Sequence, residues 1–290
     1  RLITNEVHRS EINYVFIIDS FNEFDKKLEF EEDKKTLIIP LFYLMGNSIK
    51  LYLHLNKYNL KTAFFPFGMW PSPNLSKKQQ IWSKKLSFYS LKEIFLNQIS
   101  KFLKKGGFIK EFDFVFAAGM VATNKFPNSC VKQVNYYDFD TFKNINDTAK
   151  TLINGDFCVF LDNNAPFHPD VILLGSKHID NETYFKETNK FFKKIEDKYG
   201  FEVVIAAHPS ANYTQDTFNG RKILKHKTAE LVRDSKLVLS SLTTSISFPI
   251  LFNKPITFFY TKDMVINYSS FGYPDMSIYI AKYLNCLVYN

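Results

Sequence analysis

Glycine-rich phosphate loops are missing from this chain of 290 residues, and its ten glycines leave little material for one. No GxxxxGK[ST] run occurs, which argues against a P-loop NTPase. No GxGxxG follows an apolar strand-like run, which disfavours classical dinucleotide binding. A GxSxG nucleophile elbow is absent, as are HExxH and clustered Cys/His patterns of the zinc type, so no metal and no cofactor is expected. Three cysteines, Cys130, Cys158 and Cys286, stand far apart and none belongs to a CxxC pair. Cys158 and Cys286 fall in apolar strand-like runs and read as small core residues in a reduced, cytoplasmic compartment. No apolar run has membrane-spanning length: the most apolar stretch, Thr36 to Leu55, is interrupted by Asn47, Lys50 and His54. Signal-peptide patterns, short repeats and low-complexity segments are also missing. The chain opens on Arg1 rather than methionine, as a piece of a longer protein would.

What is present is globular, with 46% hydrophobic and 23% charged residues. The formal net charge of +8 would suit a nucleic-acid binder, but no Arg-rich helix or aromatic-basic motif accompanies it, so no nucleic-acid partner is expected. Two readings stay open. One is a solvated lysine-rich surface; the other is an enzyme for anionic, nucleotide-linked substrates near the inner face of an acidic membrane, with peripheral association.

Strand and helix signals alternate along the chain. Tyr14 to Ile18, Thr36 to Leu41, Lys61 to Phe65 and Phe112 to Ala117 read as buried strands. Gly46 to Tyr58 reads as a helix. Leu91 to Lys105 is an amphipathic helix with Ile94, Phe95, Ile99 and Phe102 on one face, closed by Gly106-Gly107. After a polar stretch from Asp138 to Asn154 the pattern restarts. Strands are predicted at Phe157–Leu161, Phe201–Ala207, Leu237–Leu239, Ile256–Tyr260 and Cys286–Tyr289. Helices are predicted at Tyr184–Tyr199, Thr228–Asp234, Thr243–Phe252 and Met276–Leu284. Alternating βα units imply parallel sheets covered by helices. The expected fold is α/β: two Rossmann-like domains, residues 1–150 and 151–290, facing a cleft. One continuous sheet is the alternative.

The most informative stretch is Phe201 to Pro255. Its first strand delivers His208-Pro209-Ser210. Its second delivers Ser240-Ser241-Leu242-Thr243-Thr244-Ser245 at the start of a helix. Ligands of open α/β sheets collect at the carboxyl ends of strands, and helix starts carry unpaired N–H groups and partial positive charge. His208, Pro209 and Ser210 are therefore candidates for holding an anionic phosphate, with Ser240, Ser241, Thr243, Thr244 and Ser245 beside them. At least one of these hydroxyls would be an ordinary helix cap. Glu230, early in its helix, would either accept ribose hydroxyls or simply favour the helix start. Arg221 would reach a phosphate or lie on the surface. Asp162, in the loop that leads to His168, would be a general base or would hold the loop's own amides; His168 would bind substrate. Asp19 and Trp70, with Glu23, form an acceptor-side candidate set in the first half.

His208-Pro209, Glu230 and the run Ser240 to Ser245 together resemble the donor half of GT-B glycosyltransferases. The likeness is to enzymes of bacterial surface-polysaccharide (capsule and lipopolysaccharide) biosynthesis, of the sialyltransferase-like and Kdo-transferase-like groups. It covers about residues 155 to 260. It implies a metal-independent transferase in which the His-Pro and Ser/Thr motifs hold the nucleotide phosphate of a CMP-linked acidic sugar. The partners implied are that nucleotide-sugar donor and a surface-glycan or lipid-linked acceptor. The short acidic D/E-D/E-G motif of the sialyltransferase-like groups is absent. A non-hydrolysing epimerase and a non-catalytic subunit of a polysaccharide assembly complex are the rival readings.

Overall fold

The computed structural model describes residues 18–32, 36–41, 43–58, 60–66, 88–145, 150–168, 179–241, 243–267 and 275–289. The described residues form two compact units, which divide between Gln133 and Val134. The strand expected at Tyr14 to Ile18 lies largely outside the described residues.

In the first unit, β1 (Leu37–Ile38), β2 (Lys61–Phe64), β3 (Phe114–Ala117) and β4 (Cys130–Gln133) make a parallel sheet in the order β1-β2-β3-β4. Helices Phe21–Glu32 and Ile49–Leu55 bring Leu28, Ile49, Tyr52 and Leu55 into its core. The helix Phe88–Lys105 forms where its periodicity predicts, but its buried side is displaced from the expected one. Ile99 and Leu103 pack on the core, whereas Phe95 and Phe102 are 65% and 69% exposed. Both phenylalanines neighbour Ile99 on the helix surface, on the side away from Leu103 that the core leaves uncovered.

The second unit holds six parallel strands: β5 (Phe157–Leu161), β6 (Glu202–Ala207), β7 (Ile223–Lys225), β8 (Leu237–Ser240), β9 (Ile256–Phe259) and β10 (Leu287–Tyr289). Their order is β10-β9-β8-β5-β6-β7. Two separate parallel sheets exclude the single continuous sheet. β5 is buried throughout, as a strand covered on both faces must be. Phe157, Val159 and Leu161 face the helices Thr228–Asp234 and Ser247–Leu251, while Cys158 and Phe160 face the helix Asn181–Tyr199. The rings of Phe192, Phe218 and Phe259 surround Phe160 at 5.1 to 6.3 Å, which puts the chain's abundant phenylalanine to use as core.

The polar stretch expected to separate the domains begins with a helix instead, Tyr137–Asn144. Its Asp138 is buried and accepts a hydrogen bond from the Ser247 hydroxyl, and Phe142 meets Phe252 edge-on at 4.9 Å. These contacts attach it to the second unit, so the division falls ahead of it rather than near residue 150. β4 and β7 are edge strands of three or four residues with no fully buried position, so neither carries the apolar run that marks a central strand.

Candidate functional site

β8, β5 and β6 are neighbours, with Leu161 level with Ala206 on one side and Ser240 on the other. The residues that follow these strands, Asp162, His208 and Ser241, therefore emerge together at one end of the sheet. β5 is the first strand of its sheet and later strands are added on both sides of it. Its carboxyl end is the place where connections diverge and a crevice opens in folds of this kind.

Asp162 is 4% exposed. Its Oδ1 accepts the Asn164 backbone N–H at 2.9 Å. Its Oδ2 accepts the His208 backbone N–H at 3.0 Å and the Tyr213 hydroxyl at 2.9 Å. Burial pushes its carboxyl above the usual carboxylate range, and these hydrogen bonds oppose the shift. Of the two expected roles, base or holder of the loop's own amides, the hydrogen bonds are those of the second: the buried carboxylate accepts from the donors of its own and the adjoining loop. Asn164 takes the left-handed conformation, φ 53° and ψ 38°, which asparagine tolerates better than most residues. Its side chain lies 3.0 Å from the Tyr213 hydroxyl and 3.3 Å from Ser210 Oγ. Burial and the neighbouring carboxylate keep Tyr213 protonated.

The His208 ring follows from this frame. Its Nδ1 accepts the backbone N–H of Ser210 at 3.2 Å and lies 2.8 Å from Ser210 Oγ. A ring nitrogen that accepts a backbone N–H carries no proton of its own, so the proton resides on Nε2. Desolvation lowers the His208 pKa; Asp162 opposes this, and His168 and Lys225 add to it. The ring is thus a neutral, half-buried imidazole with one N–H to offer. The half-buried His168 ring lies 5.8 Å away, centroid to centroid. Pro209 and Ser210 are exposed at the turn, which the Ala211 N–H closes onto the His208 carbonyl at 2.9 Å.

The hydroxyl cluster divides. Ser240 and Ser241, expected as ligand contacts, are fully buried: β8 runs through Ser240, and in the helix Asp275–Tyr283 the Ser277 hydroxyl donates to the Ser241 carbonyl at 3.0 Å. Among the described residues neither serine hydroxyl has a hydrogen-bond partner. Thr243 is the helix cap, accepting the Ser245 N–H at 3.4 Å. Thr244 is exposed and Ser245 half-buried.

Other candidates lie apart. Arg221 is level with Val203, toward the amino end of the sheet, because Ile223 pairs with Ile205. Its guanidinium grips Glu196 through two 2.7 Å bonds, donates to Asn189 Oδ1 at 3.0 Å and sits 5.5 Å from the Phe192 ring centroid. It locks a helix in place and does not reach the strand ends. Glu230 pairs with Lys227 at 2.8 Å in the first turn of its helix. Asp19 belongs to the first unit, exposed, with its N–H on the Glu23 carboxylate at 3.2 Å. Trp70 lies outside the described residues. Among the described residues no three His, Cys, Asp or Glu side chains gather as a metal-holding group.

Tyr213 and Asn164 have no place among the sequence candidates, although they complete the frame. Tyr213 stands in a polar loop with no periodicity to mark it. Asn164, just before Ala165-Pro166, carries only the general turn signal of asparagine near proline.

No protein-family model matches the chain, and no curated protein matches it. Solved structures do. The calicheamicin glycosyltransferase CalG4 is 10% identical with a TM-score of 0.48, over 97% of this chain and 70% of that one. The S. aureus MnaA-UDP co-structure is 13% identical with a TM-score of 0.47, over 86% and 66%. Methanocaldococcus jannaschii UDP-GlcNAc 2-epimerase in complex with UDP-GlcNAc and UDP is 12% identical with a TM-score of 0.41, over 82% and 63%. The chain spans about two thirds of the length of these proteins. All three likenesses are remote.

Proposed function

We propose that this chain is a glycosyltransferase of the GT-B kind that uses a nucleotide-activated sugar, with the second unit on the donor side and the first on the acceptor side. The observation that carries this reading is the His208 ring, held neutral at a strand end with Nε2–H as its donor. Breaking the bond between sugar and nucleotide places negative charge on the departing phosphate. A fixed N–H aimed at that oxygen is worth more in the transition state than in the ground state. Thr244 and Ser245 would add hydroxyls beside it. Asp162 would act as a positioning residue that holds the His208 backbone, so the acceptor's proton would go to another group. A CMP-linked acidic sugar as donor rests on the His-Pro and Ser/Thr resemblance, and a glycan or lipid-linked acceptor on the same footing.

The test is a thermal-shift screen with CMP, CDP, UDP, GDP and ADP, with and without magnesium. A nucleotide at a hundred times its dissociation constant adds about 2.7 kcal/mol of stability. One nucleotide is expected to shift the wild type and to lose that effect in His208→Ala, whose own melting temperature stays close to wild type. Consumption of the matching sugar nucleotide without an acceptor would point to an epimerase. No shift with any nucleotide would overturn the proposal in favour of a non-catalytic subunit.

A further inference from the structure

A cavity of about 490 Å³ opens in the second unit between the helix Asn181–Tyr199 and the strands β9 and β10. Phe259 and its register partner Tyr289 share the sheet face that this helix covers, and they form the floor. Phe191 stacks on Phe259 at 4.6 Å and stands 5.8 Å from Tyr289. The floor is thus aromatic and continuous.

The rim is cationic. Lys190, Lys194 and Lys198 recur every fourth residue along one stripe of the helix, and Lys262 projects from the opposite wall after β9. Like charges at this spacing oppose one another and destabilise the helix. The same helix shows the compensated alternative on its other flank, where Lys193 meets Asp197 at 2.6 Å. Among the described residues Lys190, Lys194 and Lys262 make no ion pair. Glu187 is the acidic residue of the lining. Four cations around an aromatic floor match an amphiphile whose anionic head meets the lysines while its apolar part covers the rings.

We propose that this groove binds the phosphate head of an anionic phospholipid and seats the protein on an acidic membrane surface. The site shares no residue with the His208 frame, so its failure would leave the proposed catalytic reading untouched.

The experiment is co-sedimentation of the full chain with phosphatidylcholine vesicles containing phosphatidylglycerol, and with pure phosphatidylcholine, at 0.1 M salt. Binding only to the acidic vesicles is expected. Each basic side chain at an anionic surface contributes about fivefold in affinity, so Lys190→Gln/Lys194→Gln/Lys262→Gln together should weaken binding roughly a hundredfold. These lysines are exposed and glutamine keeps their helix propensity, so the fold should persist. The control removes three exposed lysines of the first unit, Lys101→Gln/Lys105→Gln/Lys110→Gln, and should bind nearly as the wild type does. Equal weakening in both triple variants would mean a diffuse charge effect and overturn the proposal. No dependence on phosphatidylglycerol would also overturn it. Stabilisation by inorganic phosphate or glycerol phosphate without vesicle binding would overturn the membrane form and assign the groove to a soluble phosphate.

Discussion

Removing the Asp162 carboxylate would leave three donors inside the protein without an acceptor: the backbone N–H groups of Asn164 and His208 and the Tyr213 hydroxyl. Each stranded donor costs about 1–3 kcal/mol. Asp162→Ala should therefore destabilise the second unit by roughly 3 kcal/mol or more in urea unfolding. A base that served only chemistry would leave stability within about 0.5 kcal/mol. His208 contributes to pH dependence with a definite sign. Its folded pKa is depressed, so its share of stability is present above the ordinary histidine value of about 6.5 and is lost as pH falls toward the folded value. His208→Gln cannot take up that proton. The loss of urea stability between pH 7.5 and pH 5 should accordingly be smaller in the variant than in the wild type. An equal loss would mean that other groups set the acid limb.

Two glycines show how much an element can ask of one position. Gly200 ends the helix Asn181–Tyr199 in the left-handed region, φ 69°, with open space where a Cβ would go. Gly200→Ala should cost about 1–2 kcal/mol from backbone strain alone. Gly46 has a different burden. A Cβ there would stand 2.4 Å from Leu96 Cβ and 3.0 Å from the Leu96 backbone carbon, and its N–H donates to Asn97 Oδ1 at 2.8 Å. Gly46→Ala should push the helix Phe88–Lys105 aside and cost about 3 kcal/mol, near the upper end for overpacking. Urea denaturation of both variants should rank Gly46→Ala as the more damaging; the reverse order would mean that the helix yields easily. The Gly200 requirement is readable locally, because glycine after a charged, periodic helix is a stop signal. The Gly46 requirement is not, because its partner stands fifty residues away.

At the scale of the molecule, two compact units with separate sheets invite two unfolding transitions. His208, Asp162, Tyr213 and the hydroxyls near Thr243 all belong to the second unit. A nucleotide that binds there should raise one calorimetric transition and leave the other in place, and His208→Ala should abolish the shift. A nucleotide that raised both transitions equally would show that its site draws on both units. The net charge of +8 also becomes specific at this scale. Lys190, Lys194 and Lys198 on one helix share a single groove with Lys262.

By itself the sequence determined the alternation of strands and helices, the buried central strands of the second sheet, and the delivery of His208 and Asp162 to strand ends. These are local properties: an apolar run of five residues is a buried strand wherever the sheet places it, and the residue after it must lie at an end. Tertiary structure alone decided which polar groups remain available. Asp162 is filled by partners 46 and 51 positions away, Arg221 by Glu196 25 positions away, and Ser241 is sealed by Ser277 36 positions away. A polar side chain is a ligand contact or a structural brace according to which donors and acceptors the fold sets around it. Periodicity within one element carries no information about partners contributed by another.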